Sequence, residues 1–380
     1  MAKPDEVRRH RATARCTRWS VIHNVIFFLN LASTPFMAYL TEPRPGEVKV
    51  NFMPPWNTFD EFVNVTTAFF SQIYNNHTMD ENKVSRRDTD YNMFGIRSDL
   101  TIPYEVNGDK VFDILVKMPA TLFYGYGVRD YATRFITSNK TIRNQMRPWQ
   151  ICQHEYYMGM TWVEYCLWIE ERGVNQYTAW GVSYINEGHG RMWLKFAYRC
   201  VLSLYVMRIL WKHYYVHYIV LLSNLREFGI ASKYTRYDIV VGDPAYSILS
   251  DPFMSFAMVV DIWWNIDYIS LALMRVTQFQ DFWLYMWGCM YLSRYVWFAY
   301  LGLRIMSFVV RWRRWESSFA PLDPGLLAIT AYIYGGPVIS ILGTTQALRI
   351  FSLLWSFFLP KAESNQAIEA ITGRVLIDNS

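Results

Sequence analysis

PFMSFAMVVDIWWNIDYISLALM, residues 252–274, is the stretch whose reading decides the fold. A bilayer core of ~30 Å needs roughly 20 mostly apolar helical residues, and this run supplies them. It also carries Asp261 and Asp267. A second long run, residues 282–310, carries Arg294 and Arg304 and follows after the short connection 276–281. Two such runs joined so closely predict an antiparallel helical hairpin in hydrocarbon.

Further candidate spans lie on either side. Toward the N-terminus they are residues 19–40 and 193–211, the latter open to extension as far as 222. Toward the C-terminus they are residues 325–342, interrupted by Gly335, Gly336 and Pro337, and the short run 347–359. A run of that length spans with local thinning or re-enters the same face. Ser250-Asp251-Pro252 and Leu322-Asp323-Pro324 read as helix starts, with Asp as N-cap and Pro in the first turn, where its missing N–H costs nothing. The fold class expected is a polytopic α-helical membrane protein of about six spans with an α+β extracytoplasmic domain between the first two. Its parts are a basic arm 1–18, the first span 19–40, the domain 41–190, a helical membrane region 191–360 and a tail 361–380.

Composition alone does not make this assignment. Hydrophobic residues are 52% of the chain and aromatics 18%, yet mean hydropathy is only +0.02. The apolar residues bunch at the two ends, and the middle is mixed and polar. The net charge of +5 is modest and clustered: Arg8, Arg9, Arg11, Arg15 and Arg18 precede the first run, and Arg311, Arg313 and Arg314 follow another. Beside apolar runs such clusters report orientation, and no nucleic-acid motif accompanies them. No nucleic-acid partner is expected; the bilayer itself is the first partner.

Three signals set the expected orientation. The basic N-terminal arm, the 223–250 linker with Arg226, Lys233 and Arg236, and the Arg311–Arg314 cluster favour the cytoplasm. Six crossings from an inside N-terminus put each of those loops inside and return the C-terminus there. The sequons at Asn64, Asn76 and Asn139 all fall within 41–190, the segment expected outside. In that compartment Cys152 and Cys166 can bridge; the other reading is two free thiols.

Within 41–190, residues 58–74 have helical apolar spacing, 111–116 read as a strand after an Asn107-Gly108 turn, and 158–169 suit either helix or strand. His154, Glu155, Glu164, Glu170, Glu171 and His189 are available for chemistry. No His-Glu-x-x-His pattern, nucleophile elbow or phosphate loop surrounds them, and Gly125-Tyr126-Gly127 is too short for one. No enzyme activity and no cofactor is therefore expected. His213 and His217, four apart, could hold a metal, but beside a basic interface they read as interfacial aromatics, and no metal site is assigned.

The charges inside the spans are the functional signal, because each costs a few kcal/mol on insertion scales unless paired or hydrated. At 1.5 Å per residue, Asp261 lies roughly 13 Å above the cytoplasmic start of its span. Arg294 lies about 12 Å from the inner side of a ~30 Å core. Matching depths predict an Asp261–Arg294 pair. Asp267 and Arg199 match in the same way and form a second predicted pair. These charges, with the break at Gly335, Gly336 and Pro337, suggest either a solute or ion pathway or a set of structural salt bridges.

Three stretches carry a resemblance: residues 28–35 (FLNLASTP), 311–316 (RWRRWE) and 322–329 (LDPGLLAI). They resemble large families of uncharacterised multi-pass membrane proteins of oomycete type, a resemblance that implies a polytopic protein and no activity. The layout of one span, a large glycosylated external domain and further spans is also similar to that of polycystin- and mucolipin-like channels, although no pore loop is legible before the short last run. A transport or channel-like protein is the first functional expectation. The alternative is a cell-surface receptor or adhesion protein that binds an external ligand or protein partner through residues 41–190. Self-association into a homo-oligomer is open to either.

Overall fold

The computed structural model describes residues 18–49, 57–79, 83–104, 108–157, 160–227, 244–277, 281–315 and 323–343, with 368–370, 373–377 and single positions 106, 345, 347 and 350. The chain is mostly helical and carries one antiparallel sheet. Its contacts divide it into two units.

The larger unit comprises residues 38–194, 262–294 and 329–380. Its sheet has the strand order β1-β2-β5-β4-β3-β7-β6, from β1 (Ser85–Asp88), β2 (Met93–Thr101), β3 (Gln150–Tyr157), β4 (Met160–Gly173), β5 (Gln176–Tyr184), β6 (Ile368–Ala370) and β7 (Gly373–Ile377). Helix α2 (Phe59–Ile73) starts at Thr58, whose hydroxyl accepts from the Glu61 amide, and lays Phe59, Phe62, Val63 and Phe70 on one face of the sheet. Opposite them lie Cys152, Cys166, Trp168, Trp180, Val182 and Tyr184, the alternate residues of β3, β4 and β5. The two cysteines face each other in register across β3 and β4, and their sulfurs are bonded at 1.99 Å. On the other face Tyr165 occupies the space that Gly181 leaves open and donates to the Pro119 carbonyl at 2.7 Å.

Residues 111–116 differ from the strand expected of them: α3 spans Gly108–Leu115. Val111, Phe112 and Leu115 share one helical face at i, i+1 and i+4, so the run builds an amphipathic helix without needing a sheet partner. Residues 160–173 resolve the helix-or-strand alternative as β4. Two helices, α4 (Tyr126–Thr137) and α5 (Lys140–Gln145), follow, and Asn139 caps the second.

Strand β7 pairs antiparallel with β3, from Gln153 opposite Ile377 to Tyr157 opposite Gly373. The short run 347–359 lies almost wholly outside the described residues.

The smaller unit comprises residues 1–37, 195–261 and 295–328. Its helices come from α1 (Arg18–Ala32), α6 (His189–Leu210), α7 (Val216–Glu227), α8 (Pro244–Leu249), α9 (Pro252–Trp264), α12 (Val296–Arg313) and α13 (Pro324–Ile333). A π-turn at Trp211–Tyr215 joins α6 to α7. Side chain–carbonyl bonds tie the helices: Ser203 to Ala32 at 2.7 Å, Tyr198 to Ala257 at 3.0 Å and Tyr215 to Asn24 at 3.2 Å. Residues Ile26, Leu29, Leu204, Phe256 and Phe308 are exposed, whereas Arg199, Ser203 and Asp261 are buried.

Among the described residues, Gly325–Gly343 is the one continuous helix both long and apolar enough to cross a membrane. The pairs Val21–Ala32 with Thr34–Leu40, and Pro252–Trp264 with Asp267–Val276, each qualify if the bent pair is one span. Pro35 cannot supply the amide that a continuous first helix would need. Helices α10 (Asp267–Val276), α11 (Phe282–Ser293) and α14 (Ile339–Gly343) complete the described helices of the larger unit.

Candidate functional site

Charged side chains are buried in both units, and their partners differ from those that depth alone predicts. In the smaller unit Arg199 on α6 donates through Nε to Asp261 Oδ1 on α9 at 2.9 Å, with both side chains 0% exposed. Asp261 is thus paired with Arg199. Matching depth is necessary for a pair but not sufficient, because the two groups must also face each other around their helix axes.

The larger unit gathers a broader cluster where helices break. Helices α9 and α10 are interrupted at Asn265 and Ile266, and α11 ends at Arg294. Arg294 Nη1 lies 3.4 Å from Glu42 Oε1, and the Tyr291 hydroxyl lies 3.1 Å from the same oxygen and 3.4 Å from the Asn265 carbonyl. Arg191, in the first turn of α6, pairs with Asp267 at 3.2 Å and Glu187 at 3.4 Å and donates to the Trp264 carbonyl. The Tyr268 hydroxyl donates to Glu187 at 2.7 Å and accepts from the Asn92 amide at 2.9 Å. Carbonyls released by the helix break therefore serve as acceptors for the cluster. Asp267 is paired with Arg191.

Sequence reasoning missed Glu42, Glu187, Arg191 and Arg275. The first three sit at or beyond the span boundaries drawn from hydropathy, where a charge raises no alarm. Arg275 is the first residue past the 252–274 run, yet it is fully buried on α10. Its Nη1 donates to the Leu40 carbonyl and the Thr41 hydroxyl, both at 3.1 Å, and its guanidinium lies 5.8 Å from the centre of the Phe94 ring.

Gly335, Gly336 and Pro337 form the π-turn Tyr334–Val338. Gly336 packs directly on Cys289, where a β-carbon would collide with the sulfur, and the Ser340 hydroxyl lies 2.9 Å from the Gly336 carbonyl. The break is thus a close helix contact made by small residues.

The sequons are all surface positions: Asn64, Asn76 and Asn139 are exposed. In each the side-chain oxygen is engaged, by Gln150, by Arg172 and by the Ile142 amide respectively. The amide nitrogen, which carries an N-linked sugar, is not the bonded atom in these contacts.

The remaining candidates for chemistry are dispersed. Glu171 pairs with Arg147 at 2.6 Å, Glu170 accepts from Trp168, and His189, His213 and His217 are exposed. Glu164 is buried in β4. The side chains of His154 and Glu155 lie outside the described ones. Among the described residues no group of three metal-ligating side chains comes together. Burial pushes the Tyr124 and Tyr165 phenols up from their ordinary range and lowers the Arg87 guanidinium. Comparison with known protein families, curated proteins and solved structures finds no match to this chain.

Proposed function

We propose that this chain is a multi-pass membrane protein that acts as a cell-surface receptor or adhesion component, binding an external ligand or protein partner through residues 41–190. The observation that carries the membrane part is the inverted polarity of the smaller unit. Ile26, Leu204 and Phe308 are 59%, 62% and 72% exposed, while the Arg199–Asp261 pair is shut away from solvent. In water that arrangement strips charges of hydration and leaves apolar surface wet; in hydrocarbon it is the favourable one. A disulfide in the sheet core and surface sequons support an oxidising, extracytoplasmic setting for the domain.

The same charges argue for anchoring over transport. A pathway needs ionisable groups that meet water, whereas Asp261, Asp267 and Arg294 are buried and engaged with Arg199, Arg191 and Glu42. The Gly335, Gly336 and Pro337 break is packed rather than open. The pairing of β7 with β3 supports an odd number of crossings, because strands of one sheet share a compartment. We read five, through 19–40, 193–222, 252–276, 282–313 and 324–343.

Two measurements test the reading. Full-length protein in nanodiscs should retain an extracytoplasmic partner, and proteoliposomes should show no ion or solute flux. Flux lost on joint Arg199→Leu and Asp261→Leu replacement, with folding intact, would instead establish transport. Tags at the two termini should report opposite faces; both on the cytoplasmic face would restore an even count.

A further inference from the structure

Among the described residues, the charge cluster of the larger unit does not balance. Four arginines, Arg87, Arg191, Arg275 and Arg294, meet three buried carboxylates, Glu42, Glu187 and Asp267. Arg191 takes Glu187 and Asp267, and Arg294 takes Glu42, so Arg275 and Arg87 are left without a carboxylate partner among the described residues. Glu47, whose charge acts on Arg87, is a surface residue paired with Arg44. Arg275 lies over the Phe94 ring at 5.8 Å, and Arg87 sits directly across from Phe94 in the β1–β2 pair, so the two guanidiniums flank the same ring. Arg275 is 0% exposed, and its Nε and Nη2, with Nη2 of Arg87, are buried without a hydrogen-bond partner.

Arg143 shows what a finished buried arginine looks like in the same unit. It too lacks a carboxylate, but it donates to the Phe135, Ile136 and Ser138 carbonyls and to the Tyr177 hydroxyl. Neutral acceptors and aromatic faces complete it. Arg275 has such acceptors at one nitrogen only. A buried guanidinium with open N–H groups beside a second like charge is a costly arrangement, and an anion relieves both the repulsion and the empty donors.

We propose that Arg275 and Arg87 form a buried binding site for a small inorganic anion of halide size. The anion accepts from Arg275 Nε and Nη2 and from Arg87 Nη2, and so neutralises the excess positive charge beside the sheet. Complete burial of Arg275 excludes a lipid headgroup as the ligand. The inference stands whether the protein anchors, binds or transports.

The test is thermal unfolding of the full-length protein at constant ionic strength, with chloride or bromide replacing gluconate, which is too bulky to be enclosed. Halide should raise the midpoint by roughly 5 °C. Arg275→Met should abolish that rise and should melt no lower than the parent in gluconate, because it removes an uncompensated charge. Should Arg275→Met fail to fold, the part-exposed Arg87→Met decides, with a sharply reduced halide response. Arg143→Met should lower the midpoint but keep the halide rise. Equal melting in halide and gluconate, or a halide rise that survives both Arg275→Met and Arg87→Met, would overturn the site. Bromide anomalous scattering should place the ion against Arg275; bromide elsewhere would also overturn it.

Discussion

The sheet region of the larger unit and the helices of the smaller one are built with opposite polarity. Around the sheet, Phe70, Trp180 and Val182 are buried, and charged groups such as Arg147 and Glu171 sit at the surface. Among the helices of the smaller unit, Arg199 and Asp261 are buried and Leu204 and Phe308 face outward. The same physical rule, removing from the surroundings whatever they solvate poorly, produces both patterns. Water expels the apolar groups of the first; on the membrane reading proposed above, hydrocarbon expels the charges of the second. That reading rests on this difference in burial rather than on mean hydropathy.

The hardest blow to that contrast is the removal of one charge from the smaller unit. Arg199→Ala takes the guanidinium away from buried Asp261 and is expected to destabilise by about 4 kcal/mol, with loss of folded protein in detergent melting. Joint replacement of Arg199 and Asp261 by Leu should recover most of that loss.

Placing a charge on the outward face sharpens the contrast. Leu204→Asp should cost about 3 kcal/mol of membrane insertion in a glycosylation-reporter assay. Ile142→Asp, at an exposed position of the larger unit, should change stability by no more than about 0.5 kcal/mol. Equal effects at the two positions would remove the distinction of solvent.

Opening the Cys152–Cys166 bridge by changing both residues to Ala should cost about 3 kcal/mol, for it frees a loop with a sequence separation of 14. A shift in non-reducing mobility and a lowered midpoint for the domain would report it.

The smallest effect is expected at Tyr165. Tyr165→Phe removes a buried hydrogen bond and should cost about 1 kcal/mol, since the Pro119 carbonyl keeps Tyr124 as a donor. Burial raises the folded-state pKa of this phenol above its unfolded value of about 10. The native state then holds its proton longer, so this contribution is intact below about pH 10 and falls as pH rises beyond it. Absorbance titration should show Tyr165 ionising only with unfolding.

Local pattern was a good guide wherever one element settles the outcome. Residues 58–74 carry both the apolar spacing and the Thr58 cap that the helix uses. Residues 111–116 misled because a short apolar run suits helix and strand alike, and α3 meets its needs without an edge to pair with. Of the charges, Asp261, Asp267, Arg199 and Arg294 are all visible as unusual, but the pairs Arg199–Asp261, Arg191–Asp267 and Arg294–Glu42 are not read from depth. The missing partners, Glu42 and Arg191, lay outside the apolar windows.

Sequence alone determined which segments are long and apolar, which charged residues fall within them, and which cysteines and asparagines share the polar middle. These depend on composition along the chain and on the fixed rise of a helix. The partner of each charge, the closure of β3 against β7 and the burial of Arg275 with open N–H groups were decided by tertiary structure. Rise per residue sets depth, but facing depends on rotation about each axis and on where the helix breaks, at Pro35, at Asn265 and after Ser293. Those rotations are set by packing between distant segments, which no local window contains.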